Sequence, residues 1–188
     1  IFPMCSAVTT SKNTFSLSSY IQNIAVRMIL NNNFFNHIIK TMKYIPRPLA
    51  LTKEDALEHI ATIEGKIVDN TGINWGITLK GNPKIIGIIG HYKIEPENHR
   101  SEIGYMSFPE TNGKGYMTEA IKAVLTYGFE QLNLHSVEAI IDPANSASER
   151  VLQKNGFVKE AHILENEFWN GKFLDTVIYS LLKRNFKK

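Results

Sequence analysis

The chain has 188 residues, 43% of them hydrophobic and 21% charged, which is the make-up of one globular α/β domain with a proper core. Its net charge of +3 and pI near 8.9 are too mild for a nucleic-acid binder, although the tail at 183–188 is basic and expected to be solvated. Cys5 is the sole cysteine, which rules out an internal disulfide and makes a reducing, cytoplasmic setting the default.

Residues 1–36 are rich in Ser, Thr and Asn. The helical spacing of Tyr20, Ile24 and Met28, continued by Phe35, Ile38 and Ile39, predicts one or two helices with no readable function. The apolar run at 21–30 contains Arg27 and is too short to span a bilayer, and no basic stretch precedes it to make a signal peptide. Tyr44-Ile45-Pro46-Arg47-Pro48 reads as an extended loop, because a residue before proline is pushed out of the helical region. Thr52 with Asp55 predicts a capping box, with Ala56, Leu57, Ile60 and Ile63 as a buried face and Gly65 as the stop. Residues 74–80 and 84–92 read as two strands joined through Gly81-Asn82 in an antiparallel hairpin. The second, KIIGIIGHY, is nearly apolar throughout, as a central strand covered on both faces would be. The next strand is expected at 100–108.

Residues 112–132, NGKGYMTEAIKAVLTYGFEQL, form a glycine-lined turn emptying into an amphipathic helix. Gly113 and Gly115 allow positive φ and close approach of a ligand to the main chain. The free N–H groups of the first helical turn, where Thr118 and Glu119 fall, carry about half a unit of positive dipole charge, and Lys114 adds a full one. Such a mouth suits a pyrophosphate. The order Lys114-Gly115-Tyr116 excludes a P-loop, and Thr118 stands where a dinucleotide fingerprint needs its third glycine, although Asp142 would mimic that motif's acid. By itself GKG also serves as a plain turn capping a helix. Ile121, Val124, Leu125, Gly128 and Leu132 mark the face laid on a sheet.

Val137, Ala139 and Ile141 alternate along a strand at 136–142. Asn145 begins an NxxS element, and Ser146 with Glu149 reads as a capping box for the helix that follows. That helix stops at Asn155-Gly156, and Phe157 starts a strand. Asn170-Gly171 predicts a two-residue hairpin joining 167–169 to 173–181, with Trp169 and Phe173 packing in the core or flooring a site. His37, His59, His91, His99, His135 and His162 show no metal-binding spacing, so no metal is expected.

Three segments carry a family pattern: EIGYMSFPETNGKGYMTEA at 102–120, FEQLNLHSVEAIIDPANSASERVLQKNGFVKEA at 129–161 and FWNGKFLDTVIYSLL at 168–182. In their order and spacing the chain, from about residue 44 to 182, resembles the GNAT acetyltransferase superfamily, and within it the RimJ/RimL-like branch that acetylates N-terminal amines of ribosomal proteins. The resemblance implies an α+β, three-layer fold over a single domain at 1–188. Its central mixed, mostly antiparallel sheet is splayed between two parallel strands and flanked by helices. The region at 1–40 is atypical, because the usual first strand, written roughly ERLxLR, is missing although the distance from Phe2-Pro3 to Tyr44-Ile45 suits it. The implied donor is acetyl-CoA and the implied acceptor a primary amine, with a homodimer compatible and neither nucleic acid nor membrane as partner.

By the same resemblance, the peptide groups of Met106, Ser107 and Phe108 pair with the pantetheine arm, one N–H polarising the thioester carbonyl. Asn112, Gly113, Lys114, Gly115, Tyr116, Met117 and Thr118 receive the phosphates, and the amide of Asn145 bonds a pantetheine amide. Two departures stand out: Asn112 replaces a usual Trp, and Glu110 replaces an Arg or Gln, which weakens cofactor contact there unless its carboxylate points away. Transfer needs the amine to lose its proton, a donor for the oxyanion, and a partner for the departing thiolate. Many superfamily members use a tyrosine at the sulfur, about where this chain has Leu152, so Ser148 is the implied proton donor or thiol-positioning group. Glu102 is the first candidate base, directly or through water, the alternative being a surface Glu paired across the sheet. Glu167 is the second, and an exposed hairpin carboxylate would explain it equally. The region from Tyr44 through the capped helix would wall the acceptor groove, where Arg47 either touches substrate or is solvated. A protein α-amine is the expected acceptor; a polyamine, an aminoglycoside or an amino acid is the alternative, as is a CoA-binding sensor without turnover.

Overall fold

The computed structural model describes residues 8–9, 15–18, 42–46 and 52–187. Eight strands are described, β1 (Val8–Thr9), β2 (Phe15–Ser18), β3 (Ile73–Leu79), β4 (Asn82–Glu95), β5 (Arg100–Ser107), β6 (Ser136–Ile141), β7 (Val158–Trp169) and β8 (Lys172–Leu182). Three α-helices accompany them, α1 (Lys53–Val68), α2 (Tyr116–Glu130) and α3 (Ser146–Lys154). The strands form one sheet in the order β1-β2-β3-β4-β5-β6-β8-β7, and every neighbouring pair is antiparallel except β5 and β6. A parallel pair needs a crossover, and α2 supplies it.

That parallel pair is short. It holds only at Arg100↔Ser136, Ser101↔Val137 and Glu102↔Glu138. Beyond it β5 stays with β4 as far as Gly87↔Ser107, and β6 stays with β8 as far as Ile141↔Val177. The sheet therefore opens between the two parallel strands, as the resemblance implied.

The face of α2 explains why the sheet holds its shape up to that opening. Ile121, Val124 and Leu125 are fully buried, packed in one cluster with Trp75, Ile77, Ile89, Ile103 and Val137. His91 sits fully buried in the middle of the apolar β4. Its Nε2–H donates to the Val124 carbonyl (3.2 Å), which leaves Nδ1 to accept from the Ser101 hydroxyl (2.8 Å). Burial lowers the imidazole to about 4, so the ring is neutral and ties α2 to β4 and β5 at once. Gly128 makes room for it, since a Cβ there would lie 2.8 Å from the ring. In the tail, Lys183, Arg184 and Lys187 are exposed as expected, but Phe186 is half-buried with its ring 5.2 Å from that of Phe129.

Several local expectations need correction. Leu79 pairs with Asn82, so the first hairpin turns on Lys80-Gly81 rather than Gly81-Asn82, with Gly81 taking the left-handed position at φ +78°. The capping box of α1 forms (2.9 and 3.0 Å), but the helix runs through Gly65 to Val68 and stops where Asn70 adopts φ +57°. Its expected buried face is only partly covered: Ile63 is half-buried and Leu57 is 45% exposed. The cap of α3 is Asn145, not Ser146, because Asn145 Oδ1 accepts from the Ser148 N–H (3.1 Å) while Glu149 accepts from the Tyr179 hydroxyl (2.6 Å). Phe173 is 64% exposed beside Phe168, because the β7–β8 tip extends past the last residue of β6, and Trp169 is half-buried in the wall of a cavity described below. The predicted helices around Tyr20 to Ile39, Cys5 and Arg47 lie outside the described residues.

Candidate active site

The turn before α2 is built from main chain. Gly113 and Gly115 take φ +76° and +82°, Gly115 is the N-cap residue, and no side chain caps the helix. Nothing among the described residues lies within 4 Å of the Cβ position at either glycine, so the turn itself is uncrowded. Asn112 fixes the turn to the end of β5 by accepting from the Ser107 hydroxyl (2.7 Å).

This turn opens onto the gap between the parallel strands, and together they enclose a cavity of about 660 Å³. From β5, Glu102, Met106 and Ser107 line it. From the turn and α2 come Asn112, Gly113, Gly115, Tyr116, Met117 and Thr118, and from the far side Asn145 and Ser148. Lys114 is exposed beside the cavity rather than in its wall, and Glu110 likewise stands outside it. Phe108 is buried behind the wall, its N–H donating to the Ile86 carbonyl (3.0 Å).

Glu102 occupies the last position of β5 paired with β6, half-buried at the point of parting. Its register partner on β4, Lys93, pairs with Glu95, and Glu138 on β6 pairs with Arg100. Burial first, and the Glu138 charge second, hold the Glu102 carboxyl above the usual carboxylate range against the pull of Lys93 and Lys66. A carboxylate facing a cavity with a raised proton affinity is suited to take a proton from an ammonium.

On the opposite wall, Asn145 uses Oδ1 to cap α3, which leaves its NH2 without a protein partner among the described residues. Ser148 is half-buried and its carbonyl accepts from the Tyr105 hydroxyl (3.4 Å). Leu152, one turn on, is fully buried in the core and has no access to the cavity. Sequence reasoning missed Tyr105. Its only signal was its place three residues past Glu102 on the strand expected to splay.

A second cavity of about 380 Å³ adjoins the first, sharing Tyr44, Ile45, Ile140 and Ile141 with it. Glu167 belongs here, with Trp169, Asp142 and Asp175. The two candidate bases thus face different spaces. Asp175 is engaged by the Glu165 N–H (2.9 Å) and His162 Nε2 (2.8 Å), which hold its carboxyl below the usual range. Among the described residues no group of three or more His, Cys, Asp or Glu is placed to hold a metal, and no helix is long and apolar enough to cross a membrane.

The profile described as acetyltransferase (GNAT) domain matches residues 30–158. The uncharacterized N-acetyltransferase YoaA of Bacillus subtilis is 36% identical over 130 residues, covering 69% of this chain and 73% of that protein. Spermidine N(1)-acetyltransferase of Escherichia coli K12 is 28% identical over 100 residues, 53% and 54% of the two chains. Among solved structures, RimL, a ribosomal L7/L12 alpha-N-protein acetyltransferase in complex with coenzyme A, superposes with a TM-score of 0.80 at 19% identity, covering 94% of this chain and 98% of its own.

Proposed function

The chain belongs to the acetyltransferase (GNAT) domain family and is an acetyl-CoA-dependent N-acetyltransferase; we propose that it transfers the acetyl group directly to a protein N-terminal α-amine, using the residues of the larger cavity. The observation that carries this reading is the uncapped mouth of α2, set between two left-handed glycines and opening onto the gap between β5 and β6. The first-turn N–H groups hold the pyrophosphate. The acyl arm then lies against Met106 and Ser107, in the position of an added strand, and the Asn145 NH2 meets one of its amides.

Glu102 accepts the proton from the incoming ammonium. An α-amine, with pKa about 8, yields it far more readily than a lysine at about 10.4. As the C–N bond forms and the C–S bond breaks, a main-chain N–H at the parted edge of β5 meets the carbonyl oxygen and the Ser148 hydroxyl meets the sulfur. The acceptor enters from the second cavity, which shares a wall with the first.

Glu167 and Asp142 beside Trp169 favour a second reading, in which the acceptor is a small polycation such as a polyamine. An amine panel separates the two. Saturable turnover of Ser- or Ala-initiated peptides is expected, and saturable turnover of spermidine with none on the peptides would reject the protein acceptor.

A further inference from the structure

The geometry points to Tyr105 as the residue that positions Ser148, its phenol reaching over the gap in the sheet to hold the first turn of α3 to the end of β5. This rests on the reading above that the Ser148 hydroxyl meets the sulfur.

The ladder between β5 and β6 ends at Glu102↔Glu138, and α3 follows β6, so Ser148 lies across the opening from the strand that carries the acyl arm. Tyr105 is three residues past the last rung. Its ring packs against the core, and its hydroxyl donates to the Ser148 carbonyl at 3.4 Å. A carbonyl oxygen has two lone pairs, so it can take this bond while still serving its helix.

From the other side, the Tyr179 hydroxyl of β8 donates to Glu149, the next residue along, at 2.6 Å. A phenol from each bank of the opening therefore grips adjacent residues of one helical turn. Ser146 and Ala147, which precede them, are exposed. Burial raises the Tyr105 phenol to about 12, so the group remains a donor throughout the working pH range.

A hydroxyl that must meet a departing sulfur is sensitive to displacement: a shift of about 1 Å costs roughly 10²-fold in well-aligned systems. Tyr105→Phe keeps the ring in the core and removes only the donor. The test measures kcat and the KM for acetyl-CoA, with an Ala-initiated peptide or spermidine as acceptor, in Y105F, S148A and the double variant, with thermal melting of each. Y105F is expected to lower kcat about fivefold, the scale of one neutral hydrogen bond, with KM for acetyl-CoA within about twofold. It is expected to add nothing in the S148A background, where no hydroxyl is left to misplace.

Equal losses in both backgrounds would mark Tyr105 as a packing residue and overturn the inference, as would an unchanged kcat or a loss carried by KM. If S148A itself runs at the wild-type rate, the serine's role falls and this inference with it. A slow S148A with an additive Y105F removes the inference alone.

Discussion

The two adjoining cavities are assembled by different means. The part of the larger one offered to a phosphate and an acyl arm rests on backbone, a turn with two left-handed glycines, an uncapped helix start and the free edge of a strand within residues 102–118, while Asn145 and Ser148 face it from the far side. The smaller is made of side chains brought together from 42–46, 140–142 and the β7–β8 hairpin. Backbone chemistry tolerates side-chain change and suits a donor that does not vary. A pocket of side chains on a hairpin tip can be remodelled without disturbing the sheet, which suits an acceptor that differs among relatives.

Four substitutions would break or sharpen that contrast. The largest effect is expected from Glu102→Gln, which removes the proposed base at the junction. Its kcat should fall about 10²-fold, within the usual range for losing a general base, with acetyl-CoA binding retained. Folding raises the affinity of Glu102 for its proton, so this group costs stability as pH rises through its folded pKa. The uncharged variant should accordingly melt no lower than wild type at pH 7, which separates a catalytic loss from a folding one.

Gly115→Val comes next, placing a branched side chain at φ +82° where the phosphates approach. The KM for acetyl-CoA should rise at least about tenfold because the branched side chain blocks the helix mouth, while left-handed strain of about 1 to 2 kcal/mol lowers the melting temperature instead. The acceptor KM should stay constant. Glu167→Gln should show the reverse in milder form, with the acceptor KM up about threefold, the scale of one partly exposed charge pair, and acetyl-CoA affinity unchanged. If each variant disturbed both substrates equally, the division between the cavities would fail.

The smallest change is expected from Glu138→Gln. Glu138 helps hold Glu102 above the usual range, and the substitution also frees Arg100 beside it. Removing the Glu138 charge lowers the pKa of the proposed base, so the acidic limb of the kcat/KM profile should move to lower pH. A shift to higher pH would contradict the assignment of Glu102 to that limb.

The same contrast explains what could be read before the fold was known. Gly113, Gly115, Gly156 and the Asn170-Gly171 turn all take the positive φ their positions implied, because left-handed backbone is a local property. The Thr52–Asp55 capping box formed for the same reason. Gly65 misled because a glycine is tolerated inside a helix, and it was Asn70 that supplied the left-handed turn. His91 was hidden in an apolar run, since its partners Ser101 and Val124 lie 10 and 33 residues away. Tyr105 to Ser148 spans 43 residues, and the walls of the smaller cavity more than a hundred. Long-range juxtaposition leaves no local signature.

A crystal structure of the chain with coenzyme A tests the central claim most directly. The pyrophosphate should lie within hydrogen-bonding distance of main-chain N–H groups between residues 113 and 118, with the pantetheine arm along Met106 and Ser107 and the sulfur between Glu102 and Ser148. Coenzyme A bound elsewhere, with the mouth of α2 untouched and the strands closed past Glu102, would contradict it.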